Sequence, residues 1–223
     1  MTIVTIHQPN YIPYLGFFDK MKKADTFVIL DNVQFVRTGK FAWQHRQKIR
    51  TKEGAMWLTI PVKREFKIDI NKVQIDKQDW QIKHWNAIKT NYSSSNHWDD
   101  YSTELEKFYH VEYNLLVDMT IPLIKWLADR FNINTKIEHA SKIVQNELLS
   151  STDLLIEIIK KLNGDTYISG KFGAEYLEKD KFMENNINLI TQDFHHPVYE
   201  QKFSGFIPNL SSIDYLFNVG GKL

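Results

Sequence analysis

The sequence predicts an α/β protein: one domain over residues 1–223, built on a mainly parallel, Rossmann-like sheet, with a helical middle segment at about 78–131. Three observations predict it. Thr2–His7 and Thr26–Leu30 are β-branched or apolar runs separated by about ten helical residues, the spacing of a crossover between parallel strands. Two more such runs, Asp165–Ser169 and Ile187–Gln192, recur late in the chain around helical patterns. Between the two pairs, residues 78–131 carry helical periodicity.

The elements follow in order. Thr2–His7 alternates as a strand does, and Pro9 and Pro13 break it. Tyr14–Lys23 has helical spacing, and the apolar run Thr26–Leu30 ends at Asp31. After a basic irregular stretch come a strand at Met56–Val62 and a short one at Lys72–Ile75. Helices are expected at Asp79–Tyr92, Tyr101–Tyr109 and Tyr113–Phe131, the last kinked or interrupted by Pro122. Asn132–Glu138 reads as a turn and a strand. Ser151-Thr152-Asp153 caps the amphipathic helix Leu154–Leu162, which Asn163-Gly164 closes. Asp165–Ser169 is a strand, Gly173–Leu177 a short helix and Ile187–Gln192 a strand. The last helix is Ser211–Asn218, capped by Ser211 or Ser212.

Composition excludes several classes. A 43% hydrophobic and 25% charged chain folds, and no apolar run is long enough to span a membrane. The start of the chain has no basic segment leading into an apolar one, so a cytoplasmic location is expected. With no cysteine there is no disulfide framework and no thiol nucleophile. A net charge of +1 gives no general argument for nucleic acid. There is also no nucleophile elbow, phosphate loop or dinucleotide fingerprint.

The chemistry-bearing residues fall at strand ends. In open α/β sheets, ligands bind beyond the carboxyl ends of strands. The segment after the first strand offers His7, Gln8, Asn10 and Tyr14, and the segment after the second offers Asp31 and Gln34. His7 can move a proton near neutral pH, whereas amides and phenols orient a ligand. Residues 32–52 hold six Lys or Arg residues and no acid, with three of the five arginines: Arg37, Arg46 and Arg50. Guanidinium groups favour bidentate anions, and Trp43 could stack on a base. Arg46→Lys is expected to weaken binding of such an anion. Ser169-Gly170 turns from a strand into a helix start, where backbone N–H groups face an anion. His196, Tyr199 and Gln201 follow the last strand. Adjacent His195 and His196 rarely chelate one ion, and metal binding is not expected.

These segments, in this order, resemble the WbqC-like protein family. The motifs run Gln8-Pro9-Asn10-Tyr11-Ile12-Pro13-Tyr14-Leu15-Gly16-Phe17, then Asp25 through Phe35, then Trp57-Leu58-Thr59-Ile60-Pro61-Val62. Tyr167-Ile168-Ser169-Gly170 with Tyr176-Leu177 follows, then His196 through Gln201 and Phe206 through Asn218. Asn32 stands where the pattern leads one to expect an acid, and Gln44 and Gln47 where asparagines are expected beside Arg46. The resemblance implies a role in bacterial surface polysaccharide biosynthesis, often of O-antigen, where amines of nucleotide-linked amino sugars receive acyl or aminoacyl groups. It brings no agreed set of catalytic residues.

The favoured expectation is a transferase that attaches an acyl or aminoacyl group to the amine of a nucleotide-linked deoxyamino sugar. Its partners are that sugar and a small acyl or aminoacyl donor; the sequence names no cofactor and leaves open whether the protein is a homodimer. The arginines would hold the pyrophosphate, and His196 or His7 would take the ammonium proton, with Asp31 beside them. The alternative is a non-catalytic nucleotide-sugar binding or assembly protein of the same pathway. Gln8, Asn10, Tyr14, Asp31, Gln34, Ser169, His196, Tyr199 and Gln201 are expected to line one pocket.

Overall fold

A computed structural model describes residues 1–39, 41–77, 79–145, 149 and 151–223. Lys40 of the basic stretch and Gln78 at the start of the expected helical segment lie outside the described residues. The chain gathers into two compact units. The first comprises Met1–Gln8, Phe17–Asn32 and Ile133–His195; the second comprises Pro9–Gly16, Val33–Asn132 and His196–Leu223.

The first unit is built on a five-stranded parallel sheet. Its strands are β1 (Ile3–His7), β2 (Thr26–Ile29), β5 (Lys136–His139), β6 (Thr166–Ser169) and β7 (Asn188–Thr191), in the spatial order β5-β2-β1-β6-β7. As the spacing predicts, β1 and β2 are parallel neighbours, from Val4↔Thr26 to His7↔Ile29. The helix α1 (Leu15–Lys22) connects them. Val4, Ile6, Phe27, Val28 and Ile168 are buried, as strands covered on both faces require. The helix α6 (Ser151–Lys161) contributes buried Leu154, Leu155, Ile158 and Ile159. It closes at Asn163, with φ 53°. Gly164 follows because a Cβ there would lie 2.7 Å from a Val4 methyl and 2.9 Å from an Ile159 methyl. Two short helices escape the periodicity: α5 (Ala140–Ile143) and α7 (Lys179–Glu184). The stretch expected as a helix at Gly173–Leu177 is instead a 3₁₀ turn, Lys171–Glu175.

The second unit combines an antiparallel hairpin with helices. The strands β3 (Arg46–Thr51) and β4 (Gly54–Thr59) pair from Arg46↔Thr59 to Thr51↔Gly54. The sequence hides β3 because its buried positions include Gln47 and Arg50, which mimic a solvated charge run. The expected strand Met56–Val62 therefore starts earlier and ends at Thr59. Lys72–Ile75 is not a strand; a 3₁₀ turn at Ile70–Lys72 leads into single bridges, Gln74↔Leu115 and Val62↔Ile75. The helices are α2 (Trp80–Tyr92), α3 (Trp98–Phe108), α4 (Leu116–Arg130) and α8 (Ser212–Val219). Pro122 does not interrupt α4, whose buried Met119, Leu123, Ile124 and Leu127 hold it together across the missing N–H. Trp85 stacks on Trp98 at 5.5 Å, and Trp98 packs on Phe217 at 5.0 Å. The Ser211 hydroxyl accepts from the Ile213 amide and caps α8.

Candidate functional site

Numbered by their appearance in the chain, the sheet strands run 3-2-1-4-5. The chain builds outward from β1 on one side through β2 and β5, then returns to build β6 and β7 on the other. The reversal falls between β1 and β6. In an open parallel sheet this switch point leaves a crevice beyond the carboxyl ends of the two strands, because the connections leave in opposite directions.

Four of the sequence candidates, His7, Gln8, Asp31 and Ser169, stand at that carboxyl edge. His7 ends β1 and Gln8 follows it, while Asp31 comes two residues after β2 and Ser169 ends β6. His7 Nδ1 donates to the Gln8 carbonyl at 3.0 Å; a carbonyl only accepts, so the neutral ring carries its lone pair on Nε2. Burial, reinforced by the charge of Lys20, pushes the His7 imidazole down to about 3. At neutral pH it is an uncharged acceptor and a weak base. Asp31 is buried, and its two oxygens accept from the Ser141 amide at 2.9 Å and the Ser141 hydroxyl at 2.7 Å. His139, at the end of β5, brings its Nδ1 to 3.7 Å from the same carboxylate. Ser169 is buried, and the chain turns so tightly after it that a Cβ on Gly173 would lie 2.9 Å from the Ser169 Cβ.

One cation joins this edge that sequence reasoning missed. Lys20 projects from α1, three residues after Phe17, and is 2% exposed. Its ammonium donates to the Ile6 carbonyl at 3.0 Å, and burial lowers it to about 7. The signal was a lysine one turn after a buried phenylalanine, on the apolar face of the helix.

The other candidates belong to the second unit. Tyr199 and Gln201 converge on Asp214, a residue absent from the expected pocket. Asp214 is fully buried and accepts from the Tyr199 hydroxyl at 2.6 Å, Gln201 Nε2 at 2.8 Å and the Tyr92 hydroxyl at 2.9 Å. Burial raises its carboxyl above the usual range, although all three donors favour the anion. Tyr92 also accepts the Arg50 amide at 2.8 Å. Arg50 itself, 3% exposed, gives its terminal nitrogens to backbone carbonyls, among them Thr51 at 2.6 Å, Gly54 at 2.9 Å and Ser204 at 2.6 Å. Those donors hold the 203–205 loop to the hairpin.

Arg37 donates to the carbonyls of Val62 at 2.8 Å and Lys63 at 3.2 Å. Arg46 donates to Ala42 and Gly39 carbonyls and lies 4.6 Å over the Trp57 ring. Trp43 is tilted against Trp57 at 5.4 Å. Gln34 is exposed in a single bridge with Asp69, Asn10 is buried, and the Tyr14 phenol covers Gly16 so closely that a Cβ there would clash. His196 donates Nδ1–H to the Pro197 carbonyl at 2.8 Å, which places the neutral ring's lone pair on Nε2, and the ring stacks on Tyr199. A separate hydroxyl relay also went unforeseen. Tyr11 joins Tyr109 at 2.8 Å and His84 Nδ1 at 2.9 Å, all buried.

Among the described residues no three His, Cys, Asp or Glu side chains gather as a metal site, and no helix is long and apolar enough to cross a membrane. The WbqC-like protein family model matches residues 8–222, nearly the whole chain. The chain belongs to the WbqC-like protein family. Its relatives include "Uncharacterized protein Rv1507c" of Mycobacterium tuberculosis, 30% identical over 229 residues that cover 100% of this chain and 96% of the relative. No solved structure matches the chain. The family match takes in Gln8, Asp31, Ser169 and Asp214 alike, and so does not choose between the sheet edge and the Asp214 cluster.

Proposed function

We propose that this WbqC-like protein is a transferase acting on a nucleotide-linked deoxyamino sugar in bacterial surface polysaccharide assembly. It attaches an acyl or aminoacyl group to the sugar amine, with the nucleotide seated at the carboxyl edge of the parallel sheet. The observation that carries this reading is the 3-2-1-4-5 strand order, which sets Gln8 and Ser169 on either side of the switch point. The family resemblance supplies the polysaccharide setting.

In the transfer, a C–N bond forms between the donor's acyl carbon and the sugar amine. The donor's leaving group departs with the electron pair of the broken acyl bond, and the amine loses a proton. Of the two histidines the sequence nominates, His7 is too weak a base once buried, which leaves His196 as the nominated base. Holding donor and amine together supplies much of the remaining rate.

The second reading, binding without transfer, is favoured by the same lowered basicity of His7, which leaves the β1 end without a proton acceptor of ordinary strength. Incubation with a nucleotide-linked amino sugar and acyl or aminoacyl donors, followed by mass spectrometry, separates the two. An N-acylated sugar nucleotide supports the transferase; saturable binding with no mass change supports the binder.

A further inference from the structure

The parallel ladder between β1 and β6 stops short. It runs from Ile3↔Thr166 to Thr5↔Ile168, whereas β1–β2 continues to His7↔Ile29 and β6–β7 to Ser169↔Thr191. Carbonyls along a strand alternate in direction. Those of Ile3 and His7 face the β2 side, accepting from Asp25 and Leu30, and that of Thr2 faces β6, accepting from Thr166. The Ile6 carbonyl therefore also faces β6, and its partner in a continued ladder would be the Gly170 amide. It is met instead by Lys20 Nζ at 3.0 Å. The sheet forks at its switch point, with an ammonium on one prong and the Gly170 amide on the other.

Two further facts make the fork a site. An ammonium carries three donors and Lys20 uses one, on a neutral carbonyl; among the described residues it makes no ion pair. A charge buried to 2% exposure without a counter-ion is costly, and the two donors Lys20 leaves unused suit an anion. Gly170 is half-buried with φ −68°, and a Cβ built on it would meet nothing within 4 Å, so the residue opens onto free space on its side-chain face.

We infer that the fork between β1 and β6 is an oxyanion site, in which Lys20 and the Gly170 amide together hold a phosphate group of the ligand. The inference rests on the reading that the ligand sits at this sheet edge, and not on any transfer of an acyl group. Burial has already brought Lys20 down to about 7, so a bound dianion would draw a proton onto it at mildly alkaline pH.

The test uses the full chain, with inorganic pyrophosphate and a nucleoside diphosphate as probes in calorimetric titrations, and acetate as a carboxylate control. Lys20→Met keeps the length of the side chain and removes the charge; it should lower pyrophosphate affinity at least about tenfold while leaving the ligand-free melting temperature unchanged or higher. Gly170→Pro removes the amide at a φ proline already favours and should also weaken binding, whereas Gly170→Ala should not. A Lys20→Met protein that melts lower yet binds pyrophosphate as well as the parent does would reduce Lys20 to a support for Ile6 and overturn the site. So would a parent protein that binds neither phosphate probe, or that binds acetate equally well. Pyrophosphate binding without any acylated product would sink the transferase and leave the site standing; product formed by Lys20→Met with an unchanged KM for the nucleotide sugar would do the reverse.

Discussion

Asp31 receives both the backbone amide and the hydroxyl of Ser141, at 2.9 and 2.7 Å, and so ties the end of β2 to the segment that follows β5. The carboxylate that the sequence places in the pocket beside the histidines thus has a structural task. Asp31→Ala leaves a buried amide and a hydroxyl without their acceptor and is predicted to cost about 1–3 kcal/mol in urea denaturation. Ser141→Ala, which loses only the hydroxyl bond, should cost less.

Tyr92 bridges the hairpin and α8 by accepting from the Arg50 amide and donating to Asp214. Tyr92→Phe preserves the ring packed on Phe217 and deletes both bonds, so about 1–3 kcal/mol of stability should be lost. Chemical denaturation checks the magnitude, and an unchanged midpoint would mean that the Asp214 cluster contributes nothing to stability through Tyr92.

How far the sequence spoke depends on the kind of signal. The parallel pairing of β1 with β2 was legible because both are short apolar runs on either side of a helical stretch, and burial on both faces permits little else. The hairpin strand β3 was not, because Gln47 and Arg50 are buried there through hydrogen bonds that only the fold reveals. Of the polar residues at strand ends, His7, Gln8, Asp31 and Ser169 lie at one sheet edge, which the spacing of the strands made legible. Lys20 and Asp214 were missed for the opposite reason, since a charge inside an amphipathic helix reads as a solvated position until its partners are known.

Stability should fall on acidification for a definite reason. His7, His45 and His84 are held by burial to about 3, 4 and 4, all below the ordinary 6.5. Between those values and 6.5 the unfolded chain binds more protons than the folded one, so each histidine's contribution is complete above pH 6.5 and lost as pH drops toward 4. Lys20 adds a rise in stability from about pH 7 toward 10.5 by the same sign. Asp214, raised by burial, works in the opposite sense, one carboxyl against three imidazoles. Urea midpoints measured across pH should therefore decline below 6.5. His45→Phe, which removes a ring whose buried Nδ1 has no partner, should flatten that decline. A midpoint that rises between pH 6.5 and 4.5 would contradict the assignment.

His196→Ala is predicted to lower product formation by roughly 10²–10⁴-fold with little change in nucleotide-sugar affinity, as loss of a general base does. The ring packs on Tyr199 and Phe206, so a matched melting temperature must accompany the comparison. Activity that survives in a folded His196→Ala protein removes this histidine from the chemistry.

The measurement that bears most directly on the central claim is a crystal structure of the full chain with a nucleoside diphosphate-linked deoxyamino sugar. The account predicts the diphosphate at the carboxyl edge of the parallel sheet, between the ends of β1 and β6 and against Gln8 and Gly170. A sugar nucleotide bound at the opposite, amino edge of the sheet, or held only by residues of the second unit, would contradict it.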